Sequence, residues 1–259
     1  MFISIKANKI SEQIITQIRQ AILAEKLRPG DRLPPEKELM ANFKVSKGTL
    51  REALLSLETL GLLEIRKGAL GGAYVTEVDI KKAGEFFLNF LYFKSVALSN
   101  LTEVRILVEA YIAEKAALML GREDLKKLKE LNEEFEEQLG QNLPAESFNR
   151  QIEFHRILGE ATGNPILIFF LDFISNTVIA AKNVLKPQMD FYHSVLKAHK
   201  QIFDAVREKN PKKAREAMIK HIKEEEKDLF DIQKKGAVEN LDLRQDLFRN
   251  LMNSKGWEV

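Results

Sequence analysis

The sequence predicts a mainly α-helical chain, with a small winged helix-turn-helix unit first and an all-helical antiparallel bundle of about seven helices after it. Three observations predict it. Apolar residues recur at helical spacing through most of the chain. β-like runs occur in one place, "GLLEIRKGALGGAYV", around a glycine-rich tip. From about Asp79 onward helix follows helix with short connections, as in a bundle.

Taken in order, the first helix spans about 10–24, with Ile14, Ile15, Ile18, Ala21 and Ile22 as its buried stripe. The segment "RPGDRLPPEKELMANFKVS" turns at Pro29 and Gly30, passes Leu33, and starts a short helix with Pro35 at its first position, ending near Asn42. A tight turn at 43–45 leads to Ser46, a good N-cap. The third helix buries Leu50, Ala53, Leu54, Leu57 and Leu60. Runs at 62–66 and 73–76 then pair as a β-wing. A connection of this length between the second and third helices is that of a helix-turn-helix, whose second helix lies in the DNA major groove. Lys47 and Arg51 lie one helical turn apart, so both cations project from one face at its leading end.

Charge is distributed to match. The 259 residues carry a net of only +2, yet residues 1–76 alone carry +4, which leaves −2 for the remainder. With no cysteine, disulfides and thiolate metal sites are excluded. No leader is visible, and the apolar run "ILIFFLDFI" is short and broken by Asp172, so a cytoplasmic chain without a membrane partner is expected.

The bundle helices are expected at about 79–94, 100–120, 123–140, 144–162, 165–184, 188–208 and 211–233. Gly163 stops one of them, Asn164 caps the next and Pro165 takes its first position. Asn210 and Pro211 punctuate in the same way. The domains follow as 1–77 for DNA binding and 78–236 for the bundle, with 237–259 as a tail offering one further helix in "LDLRQDLFRNLM".

Only four histidines occur. His155, His199 and His221 fall on apolar stripes of three different helices, whereas His193 falls on another face and should be exposed. A single histidine on such a stripe is usually a satisfied core residue. Three aimed inward from separate helices suit a metal site, because a bundle core is where facing helices assemble one. Arg105 and Glu109 are one turn apart, which makes either an intrahelical ion pair or a guanidinium offered to a ligand carboxylate. A metal-dependent enzyme on the three histidines is the alternative to a sensor. It lacks the paired Glu-x-x-His motifs of di-iron bundles, and Glu153 should point away from His155.

The segment "LPPEKELMANFKVSKGTLREALLSLETLGLLEIRKG" resembles the winged helix-turn-helix of GntR-type bacterial transcription regulators over residues 8–76. That resemblance implies DNA contacts from Lys37, Ser46, Lys47, Thr49, Arg51, Lys67 and Gly68. Lys47 stands where the family most often has Arg and lacks the planar fork for guanine, so Arg51 is the better base reader and Lys47 a phosphate contact. Farther on, "VRILVEAYIAEKAAL", "NRQIEFHRILGEATGNPIL" and "HKQIFDAVREKNPKKAREAMIKH" resemble the FCD domain of FadR-like regulators, an effector-binding and dimerisation module.

That second resemblance implies a divalent metal, zinc or nickel/manganese-like, on His155, His199 and His221, with Gln151 at the position of the usual Asp ligand. It further implies a small carboxylate effector near Arg105 and a homodimer on a near-palindromic double-stranded operator. The effector would control operator affinity, with repression as the expected direction. A metal-free polar pocket remains the other reading of the histidines, because a neutral amide replaces the acid.

Overall fold

The structure is a computed structural model that describes residues 10–68, 71–77, 97–142 and 148–235. The chain divides into two compact units, Met1–Ala83 and Gly84–Val259. The expected helix at 79–94 and the tail at 237–259 lie outside the described residues.

In the first unit, α1 (Ile10–Leu23), α2 (Glu36–Phe43) and α3 (Lys47–Thr59) precede β1 (Leu63–Arg66) and β2 (Gly72–Val75). The strands pair antiparallel, Leu63 opposite Val75 and Arg66 opposite Gly72, and Arg32 adds an isolated bridge to Tyr74. Pro35 sits one position earlier than expected, at the N-cap of α2, where its carbonyl accepts from the amides of Glu38 and Leu39. A left-handed Lys44, φ 55°, ends α2 and turns the chain toward α3. Ser46 caps α3 as expected, its hydroxyl accepting from the Thr49 amide at 3.2 Å. Ile14, Ile18, Leu33, Leu39, Leu50, Leu54, Leu57, Leu63 and Val75 form the core. Leu60 departs from the expected stripe: it is the C-cap of α3, 47% exposed, and the chain leaves the helix at Gly61 with φ 72°.

The second unit contains α4 (Leu98–Met119), α5 (Arg122–Gly140), α6 (Phe148–Glu160), α7 (Pro165–Leu185), α8 (Met189–Arg207) and α9 (Pro211–Lys235). Among the described residues these follow the expected helices closely, and the expected start of α6 near 144 lies outside the described residues. Asn164 Oδ1 accepts from the amides of Ile166 and Leu167, and Gly163 has φ 61°, so the cap and the stop are both formed. Asn210 Oδ1 accepts from the Lys213 amide at 3.0 Å, capping α9. α9 packs against α4 and α8, and α7 packs against α6. The main core joins Ile112, Leu128, Phe154, Leu158, Leu171, Ile202, Met218 and Ile222. A second cluster joins Phe135, Leu139, Leu185, Phe191, Tyr192, Val195 and Leu229.

α7 corrects one sequence expectation. The apolar run is not short: the helix has 21 residues and a mean hydropathy of 1.5 over its most apolar window, long and apolar enough to cross a membrane by length and composition. Asp172 does not break it, because the helix turns that carboxylate toward a half-buried side while Leu171, Phe173, Ile174, Val178 and Ala181 fill the bundle. Lys182, near its end, is buried as well.

Candidate functional site

In the first unit, α3 presents its cations as the spacing predicts. Lys47 and Arg51 are exposed at its leading end, and Thr49 Oγ1 lies 3.0 Å from Ser46 Oγ. Arg51, Lys67 and Gly68 line one groove of about 620 Å³ between the α2–α3 pair and the wing. Lys37, Ser46, Lys47 and Thr49 do not line that groove, although Lys37, Ser46 and Lys47 are exposed. Gly68 has φ 101°, a conformation that favours glycine, and its carbonyl accepts from the Gly71 amide at 2.8 Å to turn the wing.

Two arginines missed by the sequence reading join this groove. Arg32 donates to the Gly71 carbonyl and lies 5.9 Å from the Tyr74 ring. Arg66 lies 4.4 Å over the same ring and 2.7 Å from Glu64. The available signal was their placement: Arg32 directly before Leu33, and Arg66 at the end of β1, both cross-strand neighbours of the wing.

In the second unit, the three histidines converge from α6, α8 and α9. Ring centroids are 5.1 Å apart for His155 and His199, 5.5 Å for His155 and His221, and 5.0 Å for His199 and His221. One nitrogen from each lies within 4.8 Å of the others. The Phe154 ring stacks on His199 at 4.2 Å and holds it in place. His193 is exposed, as its spacing indicated.

Around them runs a buried chain of charge. Arg105 Nε is 2.7 Å from Glu109 Oε1, and Arg105 Nη1 is 2.6 Å from Glu225 Oε2. Glu225 Oε1 lies 2.5 Å from Lys182 Nζ, which also donates to Gln151 Oε1 at 2.7 Å. Glu109 Oε2 faces His155 Nδ1 at 2.8 Å. Arg105 and Glu109 therefore form the expected pair and extend it across helices. Lys182 and Glu225 were not anticipated, although Glu225 lies one turn from His221 and Lys182 is a lone charge on an apolar helix.

Burial raises the Glu225 carboxyl, but Lys182, Arg105 and His221 outweigh it and hold the group well below the ordinary carboxylate range. For Glu109 the same opposition, with Arg105 and His155 as partners, leaves a value of about 2. Burial lowers His221 to about 3 against the pull of Glu225. His199 is also lowered far, by burial first and then by His221, His155 and Lys182. Both imidazoles are thus neutral at neutral pH, the state a metal ligand needs.

The donor set fits a zinc-like ion. His199 Nε2 is buried without a hydrogen-bond partner, and three imidazoles leave at least one coordination position for another ligand. Gln151 does not supply the missing acid, because its oxygen is engaged by Lys182. Two cations and two carboxylates already balance here, so a dication would be offset by the charge of an anionic ligand.

Comparison with known proteins places both units. Residues 10–75 match the family described as bacterial regulatory proteins, gntR family, and residues 100–224 match the FCD domain. The Uxu operon regulator of Haemophilus influenzae is 30% identical over 208 residues, which cover 78% of this chain and 75% of that protein. The HTH-type transcriptional repressor NanR of Cronobacter sakazakii is 28% identical over 218 residues, 83% of each chain. Among solved structures, Streptococcus agalactiae GntR is similar with a TM-score of 0.59 at 29% identity, covering 84% of this chain and 99% of that one. A winged helix-turn-helix followed by an FCD-type bundle, with relatives of this kind over most of its length, means that the chain belongs to the GntR family of DNA-binding transcription regulators.

Proposed function

We propose that the chain is a FadR-like repressor: a cytoplasmic homodimer on a near-palindromic operator, whose bundle pocket takes a small carboxylate and thereby lowers operator affinity. The observation that carries the sensor part is the convergence of Arg105, His155, His199, His221, Lys182 and Glu225 on one cavity. Apolar packing alone has no use for so many buried polar groups, since burying each costs free energy that only a partner offsets. The name of the NanR relative as a repressor supports the direction of control.

In this reading Lys37, Ser46, Lys47, Thr49, Arg51, Lys67 and Gly68 meet DNA. Arg51 reads a base, while Lys47 and Lys67 contact phosphate. A dimer sets the spacing of two recognition helices, and a change in the bundle that alters the spacing costs the second half-site.

His155, His199 and His221 would hold a divalent metal, which supplies a positive centre for an incoming carboxylate. Glu109 orients His155, and Phe154 orients His199, whether or not an ion is bound. Arg105 brings a guanidinium to the same carboxylate. A metal-dependent enzyme built on the three histidines is the weaker reading, because relatives over most of the chain carry regulator names.

The test has two steps. The full chain selects its operator from random DNA, and the recovered site is then titrated in the presence of a panel of small organic acids. The proposal expects a near-palindromic site and at least one acid that weakens binding. Recovery of no preferred sequence would overturn it.

A further inference from the structure

The pocket contains its own carboxylate. Glu225, 3% exposed, spends one oxygen on Lys182 and the other on Arg105, so a single side chain occupies both buried cations. Free space beside it amounts to about 20 Å³, room for one water-sized body and not for an organic acid. An acid therefore enters only if a resident group gives way. Among the charged groups here, Glu225 is the one whose departure frees a donor on each of two buried cations, Arg105 Nη1 and Lys182 Nζ, while Arg105 Nε stays on Glu109. Admitting an anion while both resident carboxylates stay adds an uncompensated charge to a buried site, which is costly, and exchange at Glu109 would leave Lys182 still held by Glu225.

We infer that Glu225 is an internal stand-in for the effector, and that the effector's carboxylate exchanges for it on Lys182 and Arg105. The inference rests on the effector-binding reading above and names Lys182 as the residue that selects an anion. Exchange conserves the buried charge. It also cuts the link from α9 to both α4, through Arg105, and α7, through Lys182. α9 carries His221 one turn before Glu225, so the same movement is felt at the histidine cluster. The link between ligand and fold is thus a swap of one carboxylate for another, not a new contact added to a fixed frame.

The experiment uses the full chain as purified and acetate as the probe, with chloride as the control at equal ionic strength, read by thermal shift. Glu225→Gln removes the competitor, so the acetate concentration for half-maximal stabilisation should fall by at least about tenfold relative to wild type. Adding Lys182→Met to that variant should abolish the acetate response. Glu225→Asp keeps the charge but is one methylene too short to span both cations, and should fall between. It serves in place of Glu225→Gln if that protein does not fold. Unchanged acetate sensitivity in Glu225→Gln or Glu225→Asp overturns the exchange. So does an acetate response that survives Lys182→Met, which would place the anion on a metal instead. If Glu225→Gln gains acetate affinity while no acid releases operator from wild type, the anion site stands and the effector reading fails. If acids release operator yet no Glu225 variant gains affinity, the exchange fails and the reading stands.

Discussion

Arg51 Nε lies 3.4 Å from Glu36 Oε1, so the cation best suited to reading a base rests against a carboxylate from the first turn of α2. Both side chains are more than two-fifths exposed, and such a pair contributes about 0 to 1 kcal/mol. A bidentate arginine on guanine contributes about 1 to 3 kcal/mol, so DNA wins the arginine from Glu36. Arg51→Ala should cost about 1 to 3 kcal/mol and relax sequence preference, whereas Lys47→Ala should weaken all sequences alike and reduce the salt slope by about one. Glu36→Gln should tighten binding by removing a negative charge beside the phosphates. Operator titrations at several salt concentrations measure all three. Wild-type behaviour in both cation variants would mean that α3 is not the reader.

Oligomeric state is a second expectation. One recognition helix reads too few base pairs to single out a site in a genome, so the chain should be a homodimer that loses affinity when one half-site is deleted. Val104, Leu107, Tyr111 and Leu118 lie exposed along one side of α4, with Leu107 at 67%. Light scattering should report a dimer, and Leu107→Glu should shift it toward monomer if this face is the contact. A monomer with full affinity for a half-site would contradict the expectation.

Asp172 gives a pH-dependent stability prediction away from the pocket. Burial raises its carboxyl above the usual aspartate value, with Arg156 opposing. A raised folded value means that the ionised form is penalised in the native state. The penalty is present above the folded pKa and disappears once both states are protonated. Asp172→Asn should therefore be the more stable protein at pH 7, with the two denaturation midpoints converging as the pH falls to about 3. Equal midpoints at pH 7 would mean that the half-buried side of α7 is better solvated than its surroundings indicate.

The metal part is checked by composition. His199→Ala should lower the bound metal measured by elemental analysis after reconstitution with zinc. Gln151→Asp should raise metal affinity, though by less than a free carboxylate would, because Lys182 already holds that position. Wild-type protein that takes up no zinc but still answers an acid would leave the histidines as hydrogen-bonding groups of a polar pocket.

Much of this was legible in the sequence where the signal is local. Caps such as Ser46 and Asn164 act within three residues, so residue type and position determine them. The convergence of His155, His199 and His221 could be read because each lies on an apolar stripe that must face inward. Lys182 and Glu225 could not, since their pairing joins α7 to α9 across 43 residues and no local rule selects a partner at that distance. The helix at 165–184 was read correctly, but its apolar run was taken as short and broken for a related reason: a single Asp172 looks like an interruption in a string of letters, whereas in a helix it occupies one side only. Arg32 escaped because an isolated bridge to Tyr74 leaves no periodic pattern.

In the proposed function, acid in the bundle pocket and operator on the winged helix oppose each other. Thermodynamic linkage makes that opposition reciprocal: the factor by which an acid weakens operator binding must equal the factor by which operator weakens acid binding. Calorimetric titration of the most effective acid into the full chain, alone and saturated with operator, measures the second factor directly. Acid affinity should be weaker in the presence of operator, by the same ratio found in the operator titrations. An acid affinity that is identical with and without operator would contradict that opposition.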